Sequence, residues 1–143
     1  MATINPYLCF NGNTEEVFDF YRSVFGGEFT SKVRFSEMPS EKPMPEKAAK
    51  QIAHVSLPVG KGNMLMGSDS PEGFGPPLTI GNNFSVSIST ESEAEANKLF
   101  NGLSAGGKIN MPMGKAPWGS YFGMFTDKFG ISWMVSYDYN QQK

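Results

Sequence analysis

The chain has little of what chemical sites are usually built from. Among 143 residues there is one cysteine, Cys9, and one histidine, His54. A single thiol excludes an internal disulfide and any multi-cysteine metal centre, and it fits a reducing compartment. Charge of either sign is sparse. Twelve Lys and Arg against fourteen Asp and Glu leave a net charge of −2, with the basic residues scattered in ones and twos. No basic stripe exists to neutralise a run of phosphates, so nucleic acid is not an expected partner. No apolar run of about 18 residues and no signal-peptide pattern occurs, so no membrane role is expected and the protein reads as cytoplasmic.

What is present points to a folded, ring-rich interior. Apolar residues make up 39% and charged residues 18%, which places the chain among globular proteins. Its length suits one typical domain with a real core. Twelve Phe and nine Met supply soft, bulky side chains for a core or for a pocket that takes organic molecules.

Periodicity divides the chain into two similar halves. Ile4 to Phe10 reads as a strand, and Asn13 with Glu16 three residues on forms a capping box. Val17, Phe20, Tyr21, Val24 and Phe25 then recur at helical spacing, and Gly26-Gly27 ends the helix. An extended pattern runs from Glu28 to Phe35. Ser36 to Lys50, with three prolines and mixed charge, reads as a loop: a solvated connection, or a lid over a cleft. Gln51 to Val59 and Asn63 to Gly67 form a hairpin turning at Gly60-Lys61-Gly62.

After a Gly- and Pro-rich linker at Asp69 to Gly81, the order begins again. Phe84, Val86 and Ile88 alternate with Ser85, Ser87 and Ser89 as in a half-buried strand. Thr90 and Glu93 make a second capping box, Ala94, Leu99, Phe100 and Leu103 a second stripe, and Gly106-Gly107 a second stop. Strands follow at Lys108 to Met113, Tyr121 to Thr126 and Ile131 to Tyr137. The caps Asn13 and Thr90 lie 77 residues apart and the double glycines 80 apart, so the second helix is expected to be about a turn longer. The closing hairpins align at an offset of 68, which sets Met66 against Met134. The organisation is βαβββ twice: module one at about 1–70, a linker at about 70–81, and module two at about 82–139.

Several motifs carry a family resemblance. They are the opening Pro6-Tyr7-Leu8 with Phe10, the run from Phe20-Tyr21 to Phe25-Gly26-Gly27-Glu28, Ile52-Ala53-His54, and Thr126-Asp127-Lys128-Phe129-Gly130 with Trp133-Met134. With the βαβββ repeat, they resemble the vicinal oxygen chelate superfamily of glyoxalases, bleomycin-resistance proteins and extradiol dioxygenases, and within it the PhnB-like (YjdN-like) bacterial branch. The similarity runs nearly end to end. It implies an α+β fold in which two modules, paired edge to edge or swapped between chains, form a curved eight-stranded mixed sheet, with helices on the outer face and a cleft within. It also implies a homodimer. Some members of the branch carry a methyltransferase label, but no Gly-rich nucleotide loop is present here to hold S-adenosylmethionine.

Metal-dependent relatives place ligands on the first and last strands of each module. By the resemblance, those positions fall near Pro6, near Asn83 or Ser85, and at Met66 and Met134. Proline has no donor side chain and thioethers suit hard divalent ions poorly, so no metal and no other cofactor is expected. The alternative is a rearranged divalent-metal site around His54, with Glu28, Glu37, Asp69 or Asp127, serving a lyase or dioxygenase reaction. A lone strand histidine is otherwise a half-buried structural residue, and His54 is the one candidate for proton transfer. Cys9, between Leu8 and Phe10, reads as a buried inert thiol. The candidate ligand contacts are His54, Met66, Ser85, Trp118, Tyr121, Trp133 and Met134, lining an apolar cleft for a small organic molecule. A third possibility is a dimeric interaction module with a vestigial cleft.

Overall fold

The computed structural model of the chain describes residues 2–38, 44–71, 73 and 75–140. Two compact units divide it, Met1–Thr79 and Ile80–Lys143.

In the first unit, strand β1 (Tyr7–Phe10) leads into helix α1 (Thr14–Phe25), followed by β2 (Ser31–Arg34). A single 3₁₀ turn (Phe35–Glu37) and a four-residue helix α2 (Glu46–Ala49) precede β3 (Ile52–Val59) and β4 (Asn63–Asp69). The sheet order is β1-β4-β3-β2, with β1 parallel to β4 and the other pairs antiparallel. The segment read as a loop therefore contains two short helical pieces, and residues 39–43 within it lie outside the described residues. Ala48 is the buried residue of α2.

One face of this sheet is covered by α1. Leu8 and Phe10 of β1, Val55 and Leu57 of β3, and Leu65 of β4 are buried there with Val17, Phe18 and Tyr21 of the helix. The helical stripe is displaced from the expected one: Phe18 is fully buried, while Phe20, Val24 and Phe25 are half-buried. Gly67 makes the close approach possible. A Cβ there would come 2.7 Å from both the Leu8 carbonyl oxygen and the Phe18 ring, so only a glycine lets that ring lie on the strand.

The second unit repeats the order: β5 (Val86–Thr90), α3 (Glu93–Ser104), β6 (Lys108–Lys115), β7 (Ser120–Thr126) and β8 (Ser132–Asp138). Its sheet runs β5-β8-β7-β6, again with the first pair parallel. Helix α3 packs on one face through Ala96, Leu99, Phe100 and Leu103 against Phe125, Trp133 and Val135. Ala94, expected in the stripe, is exposed, and Ala96 takes the buried place. Phe84 is exposed and lies before β5. The described residues thus build eight strands as two mixed four-stranded sheets, each with a helix on one face, in an α+β fold.

Both helix starts differ from the expected caps. The Asn13 side chain makes no capping bond, and Asp69 at the end of β4 does the work instead. Its Oδ1 accepts from Gly12 N (2.9 Å), Thr14 N (3.0 Å) and Thr14 Oγ1 (2.6 Å). In the second unit the cap is Ser92, whose Oγ accepts from Glu95 N at 3.0 Å; Thr90 instead donates to the carbonyls of Ser92 and Ser136. With the cap at Ser92, the two helices are each 12 residues long and the expected extra turn disappears.

Candidate functional site

Strand alternation decides which side chains leave the helix-free face of each sheet. In the first unit, Tyr7, Met66, Ser56 and Ser31 stand in one cross-strand row on that face. His54, paired with Val33, lies on the same side, and the Tyr7 ring stacks on it with centroids 5.9 Å apart. Cys9 also turns this way and is exposed, not buried, because Leu8 and Phe10 take the two positions under α1.

On the helix-free face of the second unit, Ser87 of β5, Met134 of β8 and Met124 of β7 form a row, with Phe122 beside Ser136 in the next. Trp118 sits in the tight turn closed by Gly119 N donating to Ala116 O, is 66% exposed, and meets Phe122 edge-on at 5.6 Å. Ser85 is half-buried just before β5. The residue beside Met134 is Ser87, which the sequence reading left out of the candidate contacts. Its signal was available in the Ser85, Ser87, Ser89 alternation, but only the pairing register selects among the three.

Tyr121 and Trp133 lie on the opposite side. The Tyr121 hydroxyl donates to Asn97 Oδ1 of α3 at 2.7 Å. Trp133 is 1% exposed, and its Nε1 donates to Oδ2 of buried Asp127 at 2.9 Å. These two rings belong to the packing under α3. His54 and Met66 therefore share one helix-free face, Met134 and Trp118 share the other, and Ser85 borders the second.

Three of the four acidic candidates, Glu28, Asp69 and Asp127, are committed elsewhere. Asp69 caps α1 and also accepts from Ile52 N at 2.8 Å through Oδ2. Asp127 accepts from Phe129 N and Ile131 N and so closes the β7–β8 turn. Glu28 pairs with Arg22 at 2.7 Å on the surface. Glu37 lies in the 3₁₀ turn. Glu15 accepts from Lys32 Nζ (2.6 Å) and Arg34 Nη2 (2.7 Å), which holds its carboxyl below the ordinary value of 4.5.

This arrangement can be set beside known proteins. Residues 3–135 match the glyoxalase/bleomycin resistance protein/dioxygenase superfamily. The chain belongs to that superfamily. Among its relatives, YjdN of Escherichia coli K12 is 29% identical over 144 residues, spanning 93% of both chains. The solved structure of PA1353 from Pseudomonas aeruginosa is 38% identical and superposes with a TM-score of 0.82, covering 96% of this chain and 98% of the other. A PhnB protein from Bacillus cereus follows at 28% identity and a TM-score of 0.73, covering 95% and 99%. The expected superfamily and its PhnB-like, YjdN-like branch are thus the ones found.

Superfamily membership raises the question of a divalent metal, and the residues at the inherited positions do not fit one. Pro6 offers only its carbonyl, which already accepts from Met66 N at 3.0 Å. Met66 and Met134 offer thioethers, and Asn83 or Ser85 a neutral oxygen, a donor set that holds a hard cation poorly. Among the described residues, no three His, Cys, Asp or Glu side chains are grouped as a metal site. No described helix is long and apolar enough to cross a membrane.

Proposed function

We propose that the protein binds a small organic molecule through the helix-free faces of its sheets, without the divalent metal used by metal-dependent members of the superfamily. The observation that carries this reading is the make-up of those faces. One bears Tyr7, His54 and Met66; the other bears Trp118, Phe122, Met124 and Met134, with Ser85 and Ser87 as polar points. Rings and thioethers with a few hydroxyls suit an apolar ligand that carries one or two polar atoms. The single cysteine supports a cytoplasmic location, and the resemblance to the PhnB-like branch supports a homodimer, which light scattering in solution measures directly.

The test is metal analysis of the purified chain, followed by a thermal-shift screen of small aromatic and carbonyl compounds. The expected result is no stoichiometric metal and at least one stabilising compound whose effect falls in Met66→Ala or Met134→Ala. A divalent ion that co-purifies and is lost in His54→Ala would replace this reading with a metal-dependent lyase or dioxygenase. A screen without any stabilising compound would leave the faces as an interaction surface.

A further inference from the structure

We infer that Ser120 is a ligand-binding residue covered by Trp118, and that the second sheet's helix-free face selects flat aromatic compounds bearing a hydrogen-bond acceptor. The inference rests on the binder reading above and adds to it a residue, a moving part and a ligand class.

Ser120 opens β7 and is 7% exposed, yet its Oγ has no hydrogen-bond partner among the described residues. A buried hydroxyl without a partner loses its hydration with nothing in return. The Ser120 carbonyl accepts from Ala116 N, and the side chain of its cross-strand neighbour Asp138 accepts from Asn140 N at 2.8 Å.

The alternation of β7 fixes where the hydroxyl points. Tyr121 reaches Asn97 of α3, a Cβ on Gly123 would strike the Phe100 ring, and Phe125 packs edge-on against Phe100. Ser120, Phe122 and Met124 therefore leave the opposite, helix-free face. Trp118 and Phe122 flank Ser120 in sequence and their rings meet edge-on at 5.6 Å, which makes the indole the group inferred to cover the serine. Trp118 itself is 66% exposed. A cover held by one edge contact and otherwise solvated is cheap to swing aside. Its displacement presents two aromatic surfaces, Met124, and a hydroxyl in need of an acceptor. A flat aromatic molecule with a carbonyl at its edge matches that set: its ring replaces the Trp118–Phe122 contact, and its oxygen accepts from Ser120 Oγ.

Acetophenone and α-methylstyrene, which differ by C=O against C=CH₂ at nearly equal shape, separate the hydroxyl's contribution from the rings'. Calorimetric titration of the full chain should find acetophenone about five- to tenfold tighter than α-methylstyrene, the worth of one net hydrogen bond. The preference should vanish in Ser120→Ala, which should melt no lower than wild type because the hydroxyl has no bond to lose. Ser120→Thr, which keeps a hydroxyl, should restore it. Tryptophan emission should change on binding in wild type and in Trp133→Phe, placing the change at Trp118. Equal affinity for the two probes, a preference that survives Ser120→Ala, or a clear loss of stability in that variant would each overturn the assignment and leave the binder reading standing. If neither probe binds, the assignment is overturned, and the wider compound screen then decides the binder reading on its own.

Discussion

At the scale of single residues, two buried aspartates tie strand ends and turns of the fold together. Asp69 and Asp127 are nearly fully buried. Backbone N–H groups and side-chain donors occupy the carboxylate oxygens of each. Asp69 joins three pieces of chain: the end of β4, the start of α1 and the first residue of β3. Asp69→Ala would leave Gly12 N, Thr14 N and Ile52 N without their acceptor, and a loss of about 3 kcal/mol or more is expected in urea denaturation. The sequence marks Asp69 as an acid at the start of a linker and a possible metal partner of His54, not as a helix cap. Its partners lie 17 to 57 positions away, which no local pattern encodes. His54 shows the same limit from the other side: its strand position is legible, but its stacking on Tyr7 depends on a register spanning three strands.

At the scale of elements, the two helices are matched in length and differ in how they begin. Ser92 caps α3 locally, and Glu95 reaches back to Glu91 N at 2.8 Å. Helix α1 is capped from another strand. Ser92→Ala should therefore cost about 1 kcal/mol, whereas Asn13→Ala should fall within a few tenths of zero, a contrast readable by chemical denaturation of the two variants. The capping-box pattern identified both helix starts to within two residues, because turn chemistry is local. It misassigned both capping side chains because several polar residues cluster at each start. Glu15 adds a second tie, from α1 to β2 through Lys32 and Arg34. Its carboxyl is held below the ordinary range by those two bonds, so the tie stabilises the fold above the ordinary glutamate value of 4.5 and is lost as pH falls below it. The side chains are partly exposed, which limits the effect to under about 1 kcal/mol. Stability curves of wild type and Glu15→Gln should accordingly converge in acid and separate towards neutrality.

For the whole molecule, the βαβββ order occurs twice, and each unit keeps one sheet face under its own helix. The proposed function is a statement about the other two faces. A ligand that binds only the folded chain stabilises it by mass action, about 2.7 kcal/mol at a hundredfold excess over its Kd. A compound of the proposed class should thus raise the melting temperature progressively with concentration. A flat response across two decades of concentration would show that the compound does not bind the native state. The sequence by itself determined the class of fold, the family and the order of elements. Class and order follow from hydrophobic period and glycine stops, and the family from short motifs such as Pro6-Tyr7-Leu8 and Thr126-Asp127-Lys128-Phe129-Gly130, all of which are written in neighbouring residues. Tertiary structure decided which strand residues face away from the helices. It moved Tyr121 and Trp133 to the packed side, set Ser87 beside Met134, turned Cys9 outward and buried the Ser120 hydroxyl without a partner among the described residues. The reason is geometric: a strand's two faces are one residue apart in sequence, so only pairing register and helix placement tell core from cleft.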